Sequence, residues 1–359
     1  MIRTVHRMAA LLLAGMLAGG CGGGGGGGGG GGSVSGGGSG GDTVPPAITY
    51  TTPANSATNV GTNSKVTITF SEAMSLASLG SAITLIDTGS GQPVLLQPIV
   101  YDTVNNIATV APQPNALLAN HTYQANVSTA AKDLAGNPLS AGYSWTFTTA
   151  VGPGTDVTAP NVTSVAPANT AVGVGTNTSV ALTFSEPMDV TTLTNAFTLK
   201  AGPTLIPCMF SYIGQAAVFT PLSDLTPGTL YTAEITTAAT DLAGNSLAAF
   251  PPWSFTTGPG KDLTPPQNPS PVSPLDGATG VSKNTQISAT FNEAIYPFLF
   301  GTIDGKPAEV SIDYATNTVT MTPAAQLIGN RTYTGSIQLK DLAGNRMAAP
   351  FQWSFTTGP

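Results

Sequence analysis

Nine of the 18 acidic residues in this 359-residue sequence fall at three recurring positions. Asp42, Asp156 and Asp262 each stand just ahead of a Pro-containing segment. Glu72, Glu186 and Glu293 each follow a Phe-Ser or Phe-Asn pair, and Asp133, Asp241 and Asp341 each open an Asp-Leu-Ala-Gly-Asn run. Carboxylates gathered in threes offer the hard oxygen ligands that Ca²⁺ takes. They serve equally well as turn caps, because an Asp side chain accepts backbone N–H groups two residues on. Two of them beside a groove, with carboxyls about 5 to 10 Å apart, are also the equipment of a glycosidase.

What decides among these is where the backbone puts them. Val66, Ile68 and Phe70 alternate with Thr67 and Thr69, so a strand here directs Glu72 to the face that the three apolar residues mark as core. A carboxylate there must find water, a donor or a metal, since unpaired burial costs several kcal/mol. In an up-and-down Greek key the three acids of each unit meet at the pole facing the preceding unit. Two readings follow. In one, Asp156, Glu186 and Asp241, and separately Asp262, Glu293 and Asp341, help bind Ca²⁺ at two junctions and stiffen the chain of modules. In the other no cofactor is required: each Asp caps its own Gly-Asn turn, each Glu accepts loop N–H groups, and the linker Asp is solvated. The second is favoured, because three acids fall short of the roughly six to eight oxygens Ca²⁺ prefers and no DxDxDG loop is present. A hydrolase built on Glu186 and Asp241 is disfavoured, because the same acids recur in every unit and one active site has no use for three copies.

Little else in the sequence is equipped for chemistry. There are two Cys and two His. Cys21 and His6 belong to the N-terminal segment, which leaves Cys208 and His121 and excludes His-clustered zinc sites, repeated His-dependent catalysis and a disulfide scaffold. His121 has no counterpart in the second unit and reads as an exposed loop histidine; Cys208 reads as a small core residue. Gly37-Gly38-Ser39-Gly40-Gly41 matches a nucleophile elbow in letters only, lacking the flanking strand and helix. Charged residues make up 8 % of the chain against roughly 25 % in ordinary domains, and the net charge is -7. That sign excludes a sequence-independent nucleic-acid binder.

The positioning elements are written three times. Phe70-Ser71-Glu72-Ala73-Met74 recurs as Phe184-Ser185-Glu186-Pro187-Met188 and as Phe291-Asn292-Glu293-Ala294-Ile295. Trp145-Thr146-Phe147-Thr148-Thr149 returns at Trp253 and Trp353. The spacing is about a hundred residues, a domain rather than a solenoid repeat. Alternating apolar and polar residues with frequent turn clusters predict an all-β chain, each unit an antiparallel sandwich of about seven strands, with one helical turn near Ser75 to Leu79. Tyr123, Tyr231 and Tyr333 share a Leu-x-x-Asn/Gly-x-x-Tyr spacing that suits a tyrosine corner, its middle residue at positive φ. With Trp145, Trp253 and Trp353 they are expected to fill the cores rather than stack on sugars. Tyr50, Tyr101, Tyr143, Tyr296 and Phe298 are the loose candidates for an exposed aromatic row.

The composite of Pro-Ala-Asn, Phe-Ser-Glu-x-Met, Leu-x-x-Gly-x-x-Tyr, Asp-Leu-Ala-Gly-Asn and Trp-x-Phe-Thr-Thr resembles the bacterial Ig-like domain of S-layer and other envelope proteins. It spans nearly everything from Pro45 to Gly358. The third copy departs most, with Asn292 and Ile295 and with Pro274-Leu275-Asp276 in place of Pro-Ala-Asn. The resemblance implies a non-catalytic module for spacing, adhesion or assembly at the cell surface. The expected modules are 44–150, 151–258 and 259–359. Short Pro-bounded linkers imply a semi-extended string, and a chain stopping at Gly358-Pro359 is expected to have no room for a catalytic domain.

Ahead of them, Arg3 and Arg7 precede the apolar run Met8 to Leu17, the build of a signal peptide over 1–20. Leu17-Ala18-Gly19-Gly20-Cys21 resembles the lipobox of bacterial lipoproteins, with Leu displaced by one residue, and implies lipidation of Cys21. Residues 21–43 then form a Gly-rich tether, expected to be a flexible coil. The sequence thus points to a secreted protein held by lipid on the cell envelope, at the outer membrane, with a surface protein or polysaccharide as partner. An accessory carbohydrate-binding protein is the alternative.

Overall fold

The structure is a computed structural model that describes residues 42–359 except 115, 153, 298, 299, 324 and 325. The signal peptide, Cys21 and the Gly-rich tether lie outside the described residues. The chain from Asp42 onward forms one compact unit, built of three all-β modules.

Module 1 contains β1 (Ile48–Thr52), β2 (Ala57–Val60), β3 (Val66–Phe70), α1 (Leu76–Ala82), β4 (Ile83–Asp87), β5 (Val100–Asp102), β6 (Ile107–Val110), β7 (Thr122–Val127) and β8 (Tyr143–Thr149). One sheet has the order β1-β3-β6-β5 and the other β2-β8-β7-β4. The chain switches sheets at the Pro-Ala-Asn turn, so β1 pairs antiparallel with β3 while β2 pairs parallel with β8. Module 1 therefore has eight strands rather than seven, one pair being parallel, and each of the other modules adds a two-residue strand, Thr204–Leu205 or Lys306–Pro307. Period-two alternation marks strands but is silent about which sheet a short strand joins. The helix near Ser75 is present as α1, burying Leu79 and Ala82, and module 2 repeats it as α2 (Val190–Ala196).

The Asn of Pro-Ala-Asn fixes the sheet switch. Asn55 Oδ1 accepts the Thr146 N–H at 3.1 Å and Asn169 Oδ1 that of Ser254 at 3.0 Å. In the third copy Asp276 Oδ1 accepts from Ser354 at 2.8 Å, so the changed residue keeps the bond. The same holds where Asn292 replaces Ser: Ser71 Oγ, Ser185 Oγ and Asn292 Oδ1 each accept a backbone N–H of the first strand's approach.

Inward residues of each module form a core cluster around its Trp and Tyr, and Trp145, Trp253 and Trp353 are each 2 % exposed. Tyr123, Tyr231 and Tyr333 stack on Phe147, Phe255 and Phe355 with ring centroids 5.8, 5.8 and 5.9 Å apart. Each tyrosine hydroxyl accepts a backbone N–H five residues earlier, from Leu118, Thr226 and Ile328, all at 2.8 Å. Asn120, Gly228 and Asn330 hold the corner at positive φ. The cores are not insulated from one another. Ile107 of module 1 joins the cluster of module 2, and Ala166, Ala181 and Val218 of module 2 join that of module 3. Across the same surfaces Asn105 Oδ1 accepts the Tyr212 N–H and Ser164 Oγ that of Tyr314. The short linkers thus bring the modules into side-to-end packing rather than spacing them as separate beads. Among the described residues no helix is long and apolar enough to cross a membrane.

Candidate functional site at the module poles

The Asp-Leu-Ala-Gly-Asn turn is built on its first residue. Asp133, Asp241 and Asp341 each accept, at 2.8 Å, the backbone N–H of the Asn four residues on through Oδ1 and its amide through Oδ2. The intervening Gly136, Gly244 and Gly344 have φ of +97°, +94° and +97°, a region any β-carbon would strain. The amide's second proton reaches back to the carbonyl of the linker Asp: Asn137 to Asp42 at 3.0 Å, Asn245 to Asp156 and Asn345 to Asp262 at 3.1 Å. The linker Asp closes its own turn, accepting from the residue two ahead at 2.9 Å in all three copies. It is therefore a structural turn former, not a merely solvated side chain.

Each Glu lies two residues after a Phe at or just past the end of a strand, Val66–Phe70, Val180–Phe184 or Ile287–Thr290, and arrives beside these two Asp side chains. In Asp42/Glu72/Asp133, Asp156/Glu186/Asp241 and Asp262/Glu293/Asp341, one carboxylate oxygen per residue lies within 4.8 Å of the others. All three acids of each copy do meet at the pole where the chain enters the module. No loop N–H reaches the Glu carboxylates among the described residues; their neighbours are the Asp carboxylates and, for Glu293, the Asn292 amide at 3.4 Å.

Gathering like charges in a sheltered place changes their titration. Burial, then the charges of Asp156 and Asp241, push Glu186 up to about 7. Burial, then Asp341 and Asp262, do the same to Glu293, again to about 7. Glu72 is raised by the same causes in module 1. Burial raises Asp341 and outweighs its bonds from Asn345. For Asp133 burial also pushes upward, but the Asn137 amide and the N–H groups of the turn prevail and hold it below the usual range. Chemically, each triad supplies three carboxylate oxygens, and in the two triads of modules 2 and 3 the Glu holds its proton up to about neutrality.

What covers two of the three poles is the preceding module. Asn63 Oδ1 accepts the Asp156 N–H at 2.8 Å, and its amide donates to Asp156 O at 3.0 Å and Ala243 O at 3.2 Å. Asn177 grips Asp262 and Ala343 in the same way, at 2.8, 2.9 and 3.2 Å. Backbone bonds from Lys65 to Leu242 and from Ser179 to Leu342 flank these clasps. At the first junction alone, Lys65 Nζ lies 2.6 Å from Asp189 Oδ2, the N-cap of α2. The clasp needs glycine beside it: a β-carbon on Gly61 would sit 2.8 Å from Asp156 Cβ, and one on Gly175 2.7 Å from Asp262 Cβ.

The clasp asparagines were not singled out from sequence. A signal existed, since Gly-Thr-Asn stands at 61–63 and 175–177 but Ser282-Lys283-Asn284 replaces it in the third module, which no described module follows. The other candidates have local roles. His121 Nδ1 lies 2.9 Å from Asp87 Oδ2. Cys208 donates to Ile206 O at 3.5 Å, with its thiol pushed up to about 11 by burial. Tyr101 receives the Met74 N–H, Tyr143 packs on Trp145, Tyr296 lies beneath Lys340, and Tyr50 abuts Gly214, so these four form no exposed row. Phe298 lies outside the described residues.

A family model for the bacterial Ig-like domain matches residues 42–149, 156–257 and 262–357, each match beginning at a linker Asp. No curated protein matches the sequence significantly. Among solved structures, domains 1–6 of the surface layer protein SbsC align at 12 % identity over 88 % of this chain and 54 % of that one, with a TM-score of 0.24. L,D-transpeptidase 1 of Mycobacterium tuberculosis aligns at 14 % identity over 55 % of this chain and 88 % of its own, with a TM-score of 0.22. A chimeric titin Z1Z2 aligns at 12 % identity over 57 % and 99 %, with a TM-score of 0.25. The chain spans about half the length of the SbsC structure.

Proposed function

The chain belongs to the bacterial Ig-like domain family, in three tandem copies, and on that premise we propose that it is a non-catalytic, lipid-anchored envelope protein whose modules space, adhere or assemble. The observation that carries the reading is the clasp made twice, by Asn63 on Asp156 and by Asn177 on Asp262. Repeated junctions of this kind hold modules in register. Separately, the turns engage a residue a hydrolase would need, because both Asp241 oxygens accept from Asn245 of the same turn.

The anchor rests on sequence: Arg3 and Arg7, the apolar run, the lipobox-like segment before Cys21 and the Gly-rich tether. A single acyl chain binds a membrane marginally, and stable attachment takes two or more, as a multiply acylated Cys21 provides. The outer membrane is the proposed address, and a surface protein or polysaccharide the proposed partner. Fractionation of cells with mass spectrometry of the mature N-terminus is the test. Acylated Cys21 in the membrane fraction, with Cys21→Ser chain released, supports the proposal. Unmodified Cys21 on a chain that is soluble without substitution overturns the anchor.

A further inference from the structure

The pole of module 1 keeps the chemistry of a covered pole, and among the described residues no module lies over it. In module 2, Val190 and Leu242 are 4 % and 7 % exposed under module 1, facing Thr67, Thr69 and Ile107. Their counterparts by repeat alignment are Leu76 and Leu134, which are 52 % and 75 % exposed; the third-copy counterpart of Leu134, Leu342, is 6 % exposed. The polar half is kept as well. Asn137 holds the Asp42 carbonyl as Asn245 holds that of Asp156. The carbonyls of Leu134 and Ala135 stand where those of Leu242 and Ala243 accept from Lys65 and Asn63.

We propose that this pole of module 1 is a docking site for the Gly-Thr-Asn pole of an Ig-like module carried by another protein, gripping Asp42 as Asn63 grips Asp156. The junctions inside the chain are the template for what covers such a face. The preceding segment cannot supply the grip, because residues 22–41 contain only Gly, Ser and Val and no side-chain amide. A second copy of this chain is a poor occupant. Its two Gly-Thr-Asn turns are engaged by its own modules, and its third pole carries Ser282, whose β-carbon stands where Gly61 and Gly175 leave no room for one. Asn284 Oδ1 there already accepts from Gln326 Nε2 at 2.8 Å.

The proposal deepens the assembly reading above by naming its partner class, and it does not depend on the lipid anchor. The test gives the purified full chain the missing grip: Ser282→Gly, Lys283→Thr and Gln326→Ala together copy the pole of module 1 onto module 3. Sedimentation at about 100 μM, where a dissociation constant of that order is visible, is expected to show the unsubstituted chain as a monomer and the triple variant as head-to-tail chains. Adding Leu134→Asp is expected to weaken that association by about tenfold or more, while Leu134→Asp alone leaves the melting temperature unchanged because the side chain is exposed. A triple variant that stays monomeric, or one whose association ignores Leu134→Asp, overturns the docking site. Association of the unsubstituted chain through Leu134 overturns the choice of partner in favour of a second copy. Any of these failures leaves acylation of Cys21 and membrane attachment standing.

Discussion

Glu72 and Glu186 occupy the same place in the same fold, each flanked by a linker Asp and a turn Asp, yet only Glu186 has a module packed over its pole. Both carboxyls are raised by burial and by their two Asp neighbours, but Glu186 reaches about 7. Two of the turn aspartates, Asp133 and Asp341, diverge in the same sense. Asp133, at the open pole, is held below the usual range by its hydrogen bonds, whereas burial raises Asp341 at a covered pole despite the same bonds. Local turn geometry is nearly identical in the two settings, and burial heads the causes that raise Glu186 and Asp341 at the covered poles. Excluding water strengthens repulsion among like charges and penalises the ionised form. A neighbouring module therefore tunes carboxylates that it does not itself supply.

Substitutions that act at one pole and not the other break this comparison most directly. Leu242→Ala removes a side chain buried at the junction and is expected to cost about 2 to 3 kcal/mol. Leu134→Ala, the same change at the open pole, is expected to stay within about 0.5 kcal/mol. Urea unfolding of the two variants checks this, and equal losses would mean that the junction contributes nothing. Asn63→Ala comes next. It deletes both donors and the acceptor of the clasp, leaving the Asp156 N–H and Ala243 O without partners, for an expected loss of about 1 to 3 kcal/mol. Asn284→Ala, whose partner is the exposed Gln326 amide, is expected to cost under about 0.5 kcal/mol. Lys65→Met should be smaller than Asn63→Ala. The ion pair is partly exposed, and Asp189 keeps the Thr191 N–H and hydroxyl, so about 1 kcal/mol is expected, confined to the first junction. Ser179 stands where Lys65 does at the second junction, and a double-mutant cycle with Asp189→Asn isolates the pair.

Much of the pole was legible in the sequence, and the limit of legibility has a physical cause. Parity along Val66 to Phe70 and the order of a Greek key sufficed to bring Glu72, Asp42 and Asp133 together, because both depend on backbone geometry within one module. The hydroxyl bonds of Tyr123, Tyr231 and Tyr333 follow in the same way from spacing within a loop. The clasp depends instead on how one module meets the next, a relation that periodicity inside a module does not contain. Its trace was in the pattern of change: Gly61 and Gly175 persist where a module follows, while Ser282 replaces them in the last described module. The switch of β2 to the far sheet was invisible for a related reason, since alternation marks a strand without naming its partner. Departures in the third copy carried less meaning than they suggested, because Asp276 and Asn292 keep the hydrogen bonds of the residues they replace.

The smallest expected effect sharpens the comparison furthest, because it reads the carboxylates themselves. A carboxyl ordinarily titrating at 4.5 that is raised to about 7 on folding binds its proton more tightly in the folded state. Between those values the folded chain holds more protons than the unfolded chain, so stability falls as pH rises through that window. The groups facing Glu186 are Asp156 and Asp241, with Tyr212 beneath and Lys65 already paired to Asp189, so among the described residues no cation facing Glu186 offsets the repulsion. Glu186→Gln and Glu293→Gln should therefore melt a few degrees higher than the unsubstituted chain at about pH 8 and level with it near pH 4, where both forms are neutral. Glu72→Gln should change the profile least. Ca²⁺ held by a covered triad would do the opposite, favouring the ionised carboxylate and making stability rise with pH when the ion is added. Melting curves across that window, with and without Ca²⁺, distinguish a shared proton from a shared metal by the sign of the slope.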